Sequence, residues 1–162
     1  LSLTIIVNLV YNNNMKPQVQ KITQLYFKSI ELFNEMMAQP RDYGTGEEFY
    51  YSEVHVVEAI GDAGEINLTE IAIALDISKS AVSKVVKKLL ARKCINKYKL
   101  PDNQKEVLFS LTEKGEAVYQ AHERFGHRKF QNTVTAMESM SKEELNTLEH
   151  FMQVLINDVV AE

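Results

Sequence analysis

Tryptophan is absent from the 162 residues, and the chain has one cysteine, three prolines and six glycines. The lone thiol, Cys94, excludes an internal disulfide and any cysteine-rich zinc site, and it suits a reducing compartment, so the cytoplasm is the expected location. So few glycines and prolines leave few turns, which favours a helix-rich fold over a sandwich of short strands. Long hydrophobic runs are lacking as well. The apolar stretch from Leu3 to Val10 covers eight residues, whereas a membrane span needs roughly 20. It has no basic flank and no small-residue cleavage site, so it reads as neither anchor nor signal peptide, and no membrane contact is expected. Met15, Lys16 and Pro17 look like a natural start, which sets residues 1–14 apart as an extension. Catalytic signatures are missing too: there is no glycine-rich phosphate loop, no His-Glu-x-x-His, no Gly-x-Ser-x-Gly and no carboxylate pair. Without a nucleophile paired to a base, a small hydrolase is the weakest reading. The chain is expected to be a non-enzyme without a cofactor.

What is present is an imbalance of charge. Between Ser78 and Lys105 there are nine basic residues and one acidic residue, Asp102, in a chain whose net charge is −4. That segment therefore nets eight positive charges, and the remainder must carry twelve negative ones. An acidic protein that gathers its cations on one short segment has a single surface suited to a polyanion.

Periodicity places that segment. Val19, Ile22, Leu25, Tyr26, Ile30, Phe33, Met36 and Met37 recur at three- and four-residue intervals, which predicts a long amphipathic helix over 17–38. A loop follows through Tyr51, then a second helix from Ser52 to about Gly61. Asn67 and Glu70 have capping-box spacing and open a third helix that ends near Leu75. Asp76 and Ile77 turn the chain, and Ser78 caps a fourth helix that ends near Arg92. Two helices joined this closely form a helix-turn-helix. Residues 95–100 and 107–111 read as strands, with 101–105 as the tip between them. Thr112 caps a fifth helix running to about Ser139. Ser141 and Glu144 make another capping box, and Leu145, Leu148, Phe151, Met152, Leu155, Ile156 and Val159 stripe the last helix.

The expected fold is mainly α with a small β-hairpin wing, a winged helix-turn-helix with dimerisation helices at both ends. Its parts are the extension 1–14, an N-terminal helix and loop over 15–51, a DNA-binding lobe over 52–112, and C-terminal helices over 113–162. Long apolar stripes outside a small lobe usually find another chain, so a homodimer is expected.

Two stretches resemble one family. The run from Leu68 through Ile71, Leu75, Ile77, Ser80 and Val82 to Lys84, and the run from Leu100 to Gly115, are similar to the MarR family of bacterial transcriptional regulators. The resemblance covers about 16–160. It implies an obligate homodimer with interleaved terminal helices that binds a pseudo-palindromic operator, most often as a repressor released by a small-molecule effector. This sequence also departs from the family. Where the family's wing usually carries Asp-x-Arg, this chain has Asn103 and Lys105. Lysine keeps the charge but loses the planar fork, and Asp102 is a candidate for the lost carboxylate. Lys93 stands where the family commonly has glycine.

Double-stranded DNA is the expected partner. Ser80, Ala81, Ser83, Lys84 and Lys87 are candidates for the major groove, where hydroxyls, a methyl and ammonium groups can meet base edges. Ser78 and Lys79, at the helix start, suit a phosphate. Lys88, Arg92 and Lys97 are expected on the DNA backbone, and Asn103 and Lys105 on the wing complete the set.

An apolar or acidic effector is the other expected partner. Met36, Met37, Met137, Met140 and Met152, with Phe33, Tyr26 and Phe125, read first as core and second as an effector pocket. His55 and His122 match two histidines of the family's zinc-sensing branch, but the branch's next histidine falls on Gly126. His127 lies about 140° round the helix from His122. Structural or hydrogen-bonding roles come first for this pair, and a metal-responsive regulator is the alternative. Cys94 reads as a small buried hydrophobe. From another class, a winged-helix module that binds protein instead of DNA also stands open.

Overall fold

A computed structural model describes residues 15–161, so the extension 1–14 lies outside the described residues. Among the described residues there are six helices and two small sheets. The elements are α1 (Pro17–Ala38), β1 (Arg41–Asp42), β2 (Glu48–Phe49), α2 (Tyr51–Ala63), β3 (Ile66–Asn67), α3 (Leu68–Ala74), α4 (Lys79–Ala91), β4 (Ile95–Leu100), β5 (Asn103–Leu111), α5 (Glu113–Glu138) and α6 (Lys142–Val160). The mainly α, winged architecture expected from the sequence is therefore present.

The chain divides into two compact units, one ending at Ala121 and the other beginning at His122. The first unit holds the core, built on Phe49, Val54, Ile60, Ile71, Val82, Leu89, Phe109 and Val118, all almost wholly buried. Burying each such side chain contributes about 1.5–3 kcal/mol. β5 is the centre strand of the sheet, with β3 on one side and β4 on the other, both antiparallel. Ile66 opposite Phe109 and Ile95 opposite Leu111 fix the register.

Local chemistry sets the element ends. Asn67 accepts from the amides of Thr69 and Glu70 at 2.9 and 3.0 Å, while Glu70 reaches back to the Asn67 amide at 3.0 Å. Ser141 and Glu144 repeat that exchange at the start of α6. Thr112 caps α5 by accepting from Gly115 N at 3.1 Å, and its hydroxyl donates to the Lys93 carbonyl at 2.8 Å. Gly115 is required there, because a β-carbon would strike the Cys94 carbonyl oxygen.

Two expectations change. The loop after α1 contains a hairpin, β1 paired with β2. Asp42 organises its turn by accepting from the amides of Gly44, Thr45 and Gly46 at 2.8, 2.9 and 3.1 Å. The wing tip is also shorter than 101–105: only Pro101 and Asp102 turn, and Asn103 already pairs with Leu100. Two-residue hairpin turns favour positive φ, which proline cannot adopt. A register shift between Tyr98 and Leu100 accompanies the turn.

Outside the core the long helices stay uncovered. Neither α1 nor α6 buries a single residue. Val19, Ile22, Leu25 and Leu32 are exposed on α1, as are Leu145, Met152, Ile156 and Val159 on α6. Of the methionines and aromatics expected as core, Phe33, Met140 and Met152 are 45%, 37% and 48% exposed, while Tyr26, Met36, Met37, Phe125 and Met137 are half-buried. Among the described residues, both stripes keep much of their apolar surface exposed.

Candidate nucleic-acid interface

Helix α4 separates two chemistries by its periodicity. Val82, Val86 and Leu89 turn into the core, which places Lys79, Ser80, Lys84, Lys87 and Lys88 on the exposed side and leaves Ala81 and Ser83 half-buried at its margin. Ser78 is committed to the helix end: its Oγ accepts from Ala81 N at 3.2 Å and lies 2.9 Å from Ser80 Oγ. The turn before it relies on Asp76 at φ 51, a left-handed conformation that Asp tolerates better than most residues.

The wing adds Lys97, Lys99 and Lys105 as exposed cations. Lys99 Nζ donates to the Gln104 carbonyl at 2.7 Å, and Gln104 Nε2 donates to the Leu100 carbonyl at 2.8 Å, which closes the tip. Asn103 is half-buried and its Nδ2 donates to Glu106 Oε2 at 3.0 Å. The carboxylate beside Asn103 is thus that of Glu106. Asp102 sits exposed in the turn, one residue before the strand. Sequence reasoning missed Glu106. Three positions along an alternating strand gave it no motif, although an acidic residue directly after the most basic stretch of the chain was a usable signal.

Arg92 is also reassigned. Its Nε donates to Glu47 Oε2 at 3.0 Å, Nη1 to Glu53 Oε2 at 3.2 Å and Nη2 to the Glu48 carbonyl at 2.7 Å. Its guanidinium lies 3.6 Å above the Phe49 ring. A group serving three acceptors and an aromatic face has no free fork for a phosphate, so Arg92 ties the β1–β2 hairpin to the end of α4. Lys114 bonds Glu47 from the other side, and together these cations hold the Glu47 carboxyl below the usual range. Glu53, 3% exposed, also accepts from Tyr50 N at 2.9 Å.

Lys93 follows at φ 56, the left-handed conformation expected where the family has glycine. Cys94 is fully buried and its thiol is pushed up by that burial, as suits a small hydrophobe. His55 stands on α2 with its Nε2 3.8 Å from Glu58 Oε2, one turn on, and its ring against Tyr51 at 3.6 Å between centroids. His122 is carried by α5. No helix among the described residues is long and apolar enough to cross a membrane.

Comparison with known proteins agrees with this geometry. The profile of the MarR family matches residues 49–107. The HTH-type transcriptional regulator PchR of Bacillus subtilis is 35% identical over 111 residues, covering 68% of this chain and 66% of that protein. YvnA of the same organism, another HTH-type regulator, is 30% identical over 105 residues, covering 65% and 67%. The chain thus spans about two thirds of the length of these curated relatives. They are transcriptional regulators, not enzymes. Among solved structures, ZitR of Lactococcus lactis, described as a zinc-responsive MarR family member, superposes with TM-score 0.70 at 22% identity, over 87% of this chain and 99% of that one. ZitR in complex with DNA gives TM-score 0.73 at 21% identity, over 90% and 99%.

Proposed function

The chain belongs to the MarR family, and from that premise we propose that it is a homodimeric transcriptional regulator that binds a pseudo-palindromic operator and represses the genes beside it. The observation that carries the proposal is the division of α4, with Val82, Val86 and Leu89 inside and Lys79, Ser80, Lys84, Lys87 and Lys88 outside. Those outer residues, with Ser78, Ala81, Ser83, Asn103 and Lys105, form the DNA-binding set. Ser80, Ser83, Lys84 and Lys87 read base edges, while Lys79, Lys88 and the wing cations meet phosphates, which position without reading sequence. The uncovered stripes of α1 and α6 support dimerisation. A two-fold dimer sets its recognition helices about 34 Å apart, so the operator repeats with one helical turn. An apolar or acidic effector that changes that spacing would release the DNA.

A second reading, a metal-responsive regulator, draws on one observation: His55 and Glu58 stand one turn apart on α2 with nitrogen and oxygen 3.8 Å apart. His55 and Glu58 on α2 and His122 on α5 are donors of the types zinc accepts. Zinc that tightens operator binding in the wild type but not in His55→Ala selects this reading. The protein-interaction module remains the outcome if neutral substitutions at Lys84 and Lys87 leave regulation intact.

Fluorescence anisotropy on duplexes from the region upstream of its own gene, against a scrambled duplex and across a salt series, tests the main reading. Preference of about a hundredfold or more, with affinity falling steeply as salt rises, is expected. Absence of binding at low salt overturns it.

A further inference from the structure

Glu106 joins the wing to the first helix of the helix-turn-helix. Its Oε1 accepts from Asn67 Nδ2 at 2.5 Å and its Oε2 from Asn103 Nδ2 at 3.0 Å. Asn67 is already oriented, because its Oδ1 caps α3 through Thr69 N and Glu70 N. One carboxylate therefore ties the cap of α3 to the residue that opens β5 just past the wing tip.

This contact fixes something usually ambiguous. An ionised carboxylate only accepts, so an amide side chain can face it through nitrogen alone. The carbonyl oxygen of Asn103 is consequently turned away from Glu106, at a half-buried position beside the exposed Lys105. The wing thus offers one oriented acceptor and one flexible cation.

Geometry limits where that acceptor falls on DNA. A helix about 10–12 Å across fills a major groove about 12 Å wide. With α4 seated there, the neighbouring hairpin meets the adjacent backbone and minor groove. On the minor-groove edge A·T pairs show only acceptors, and the one base donor is the N2 amino group of guanine.

We propose that Glu106 is a positioning residue that locks the Asn103 amide so that its oxygen accepts from a guanine amino group in the minor groove, making the wing select a G·C pair. The inference rests on the DNA-binding reading above and names a specificity for the same surface.

Duplexes enriched by the full-length chain from a random library provide the test, followed by guanine-to-inosine exchange at each flanking pair. Inosine removes the N2 amino group and leaves the major-groove edge unchanged. At one flanking pair the exchange should weaken wild-type binding about three- to tenfold, as expected for a single net hydrogen bond. Glu106→Gln can turn its own amide and release that of Asn103. It should lose this discrimination while the salt slope, set by the cations, stays the same. Its lower negative charge raises affinity for both duplexes, so the guanine-to-inosine ratio is the readout. A purely structural role would shift both affinities and leave the ratio intact. Asn103→Ala lies outside the core and keeps the test open if Glu106→Gln does not fold; its ratio should also fall to one. Enrichment of a palindrome whose flanks are indifferent to inosine, or a ratio unchanged in both variants, overturns the proposal while leaving the regulator reading standing. If no sequence is enriched and binding is absent at low salt, the regulator reading fails first.

Discussion

Replacing Arg92 with alanine strips the buried Glu53 of its cation and uncovers one face of Phe49. The side chains of Glu53 and Arg92 are 4% and 22% exposed. Breaking a buried pair from one side costs about 3–5 kcal/mol, because the remaining charge has no compensation. Glu53 keeps the Tyr50 amide as a donor, and Arg92 is partly solvated, which places the loss near the lower bound. The cation lying 3.6 Å over Phe49 adds about 0.5–1 kcal/mol. The contact with Glu47 is exposed and screened, so it adds little. Arg92→Ala should therefore lose about 3–4 kcal/mol, a large part of a total stability of about 5–15 kcal/mol. Urea titration followed by circular dichroism measures it. Arg92→Lys should recover only part of the loss, since one ammonium cannot serve Glu47, Glu53 and the Glu48 carbonyl in a plane. Glu53→Gln keeps an acceptor for Tyr50 N and buries no charge, so in that background Arg92→Ala should cost clearly less, a coupling that a double-mutant cycle reads directly. DNA binding supplies the decisive contrast. Below its melting transition, Arg92→Ala should keep the wild-type dependence of affinity on salt. Unchanged stability together with a salt slope smaller by about one would mean that Arg92 meets a phosphate, and the tether argument would be wrong.

Two further outcomes follow from the same lobe. Lys93→Gly removes the left-handed strain at φ 56 while keeping the backbone bonds to Leu90 and Thr112. It should raise stability by about 0.5–1 kcal/mol, and a lower urea midpoint would refute the strain. The Cys94 thiol is raised above its ordinary value of 9.0 by burial. The unfolded chain therefore loses the proton first, so its contribution to stability is intact below pH 9 and declines as pH rises from there through the folded value. Urea midpoints between pH 8 and 10.5, compared with Cys94→Ala, isolate that slope. An identical slope in both proteins, or rapid alkylation of the native thiol at neutral pH, would contradict the burial.

The elements that obeyed local rules were legible in the sequence. Helix spans and the Asn67, Ser78, Thr112 and Ser141 caps follow from side chains acting within four residues or so of themselves, while the left-handed Lys93 is what the family resemblance implies. Arg92 and Glu106 were not legible, for a shared physical reason. Arg92 stands at a basic helix end and Glu106 just past a basic stretch, yet each is decided by partners far along the chain. Glu47 and Glu53 reach Arg92 across about 40 positions, and Asn67 reaches Glu106 across 39. Charge summed over a segment describes the field that a polyanion meets from a distance. It cannot say which cations are already neutralised at contact range, or which acids hold the reading side chains in place. In this lobe the correction removes Arg92 from the candidate DNA surface and gives the only acid of β5 a role in aiming Asn103. On the proposed reading, the exposed cations of α4 and the wing set the strength of DNA attraction, while Glu106 governs what the wing can distinguish.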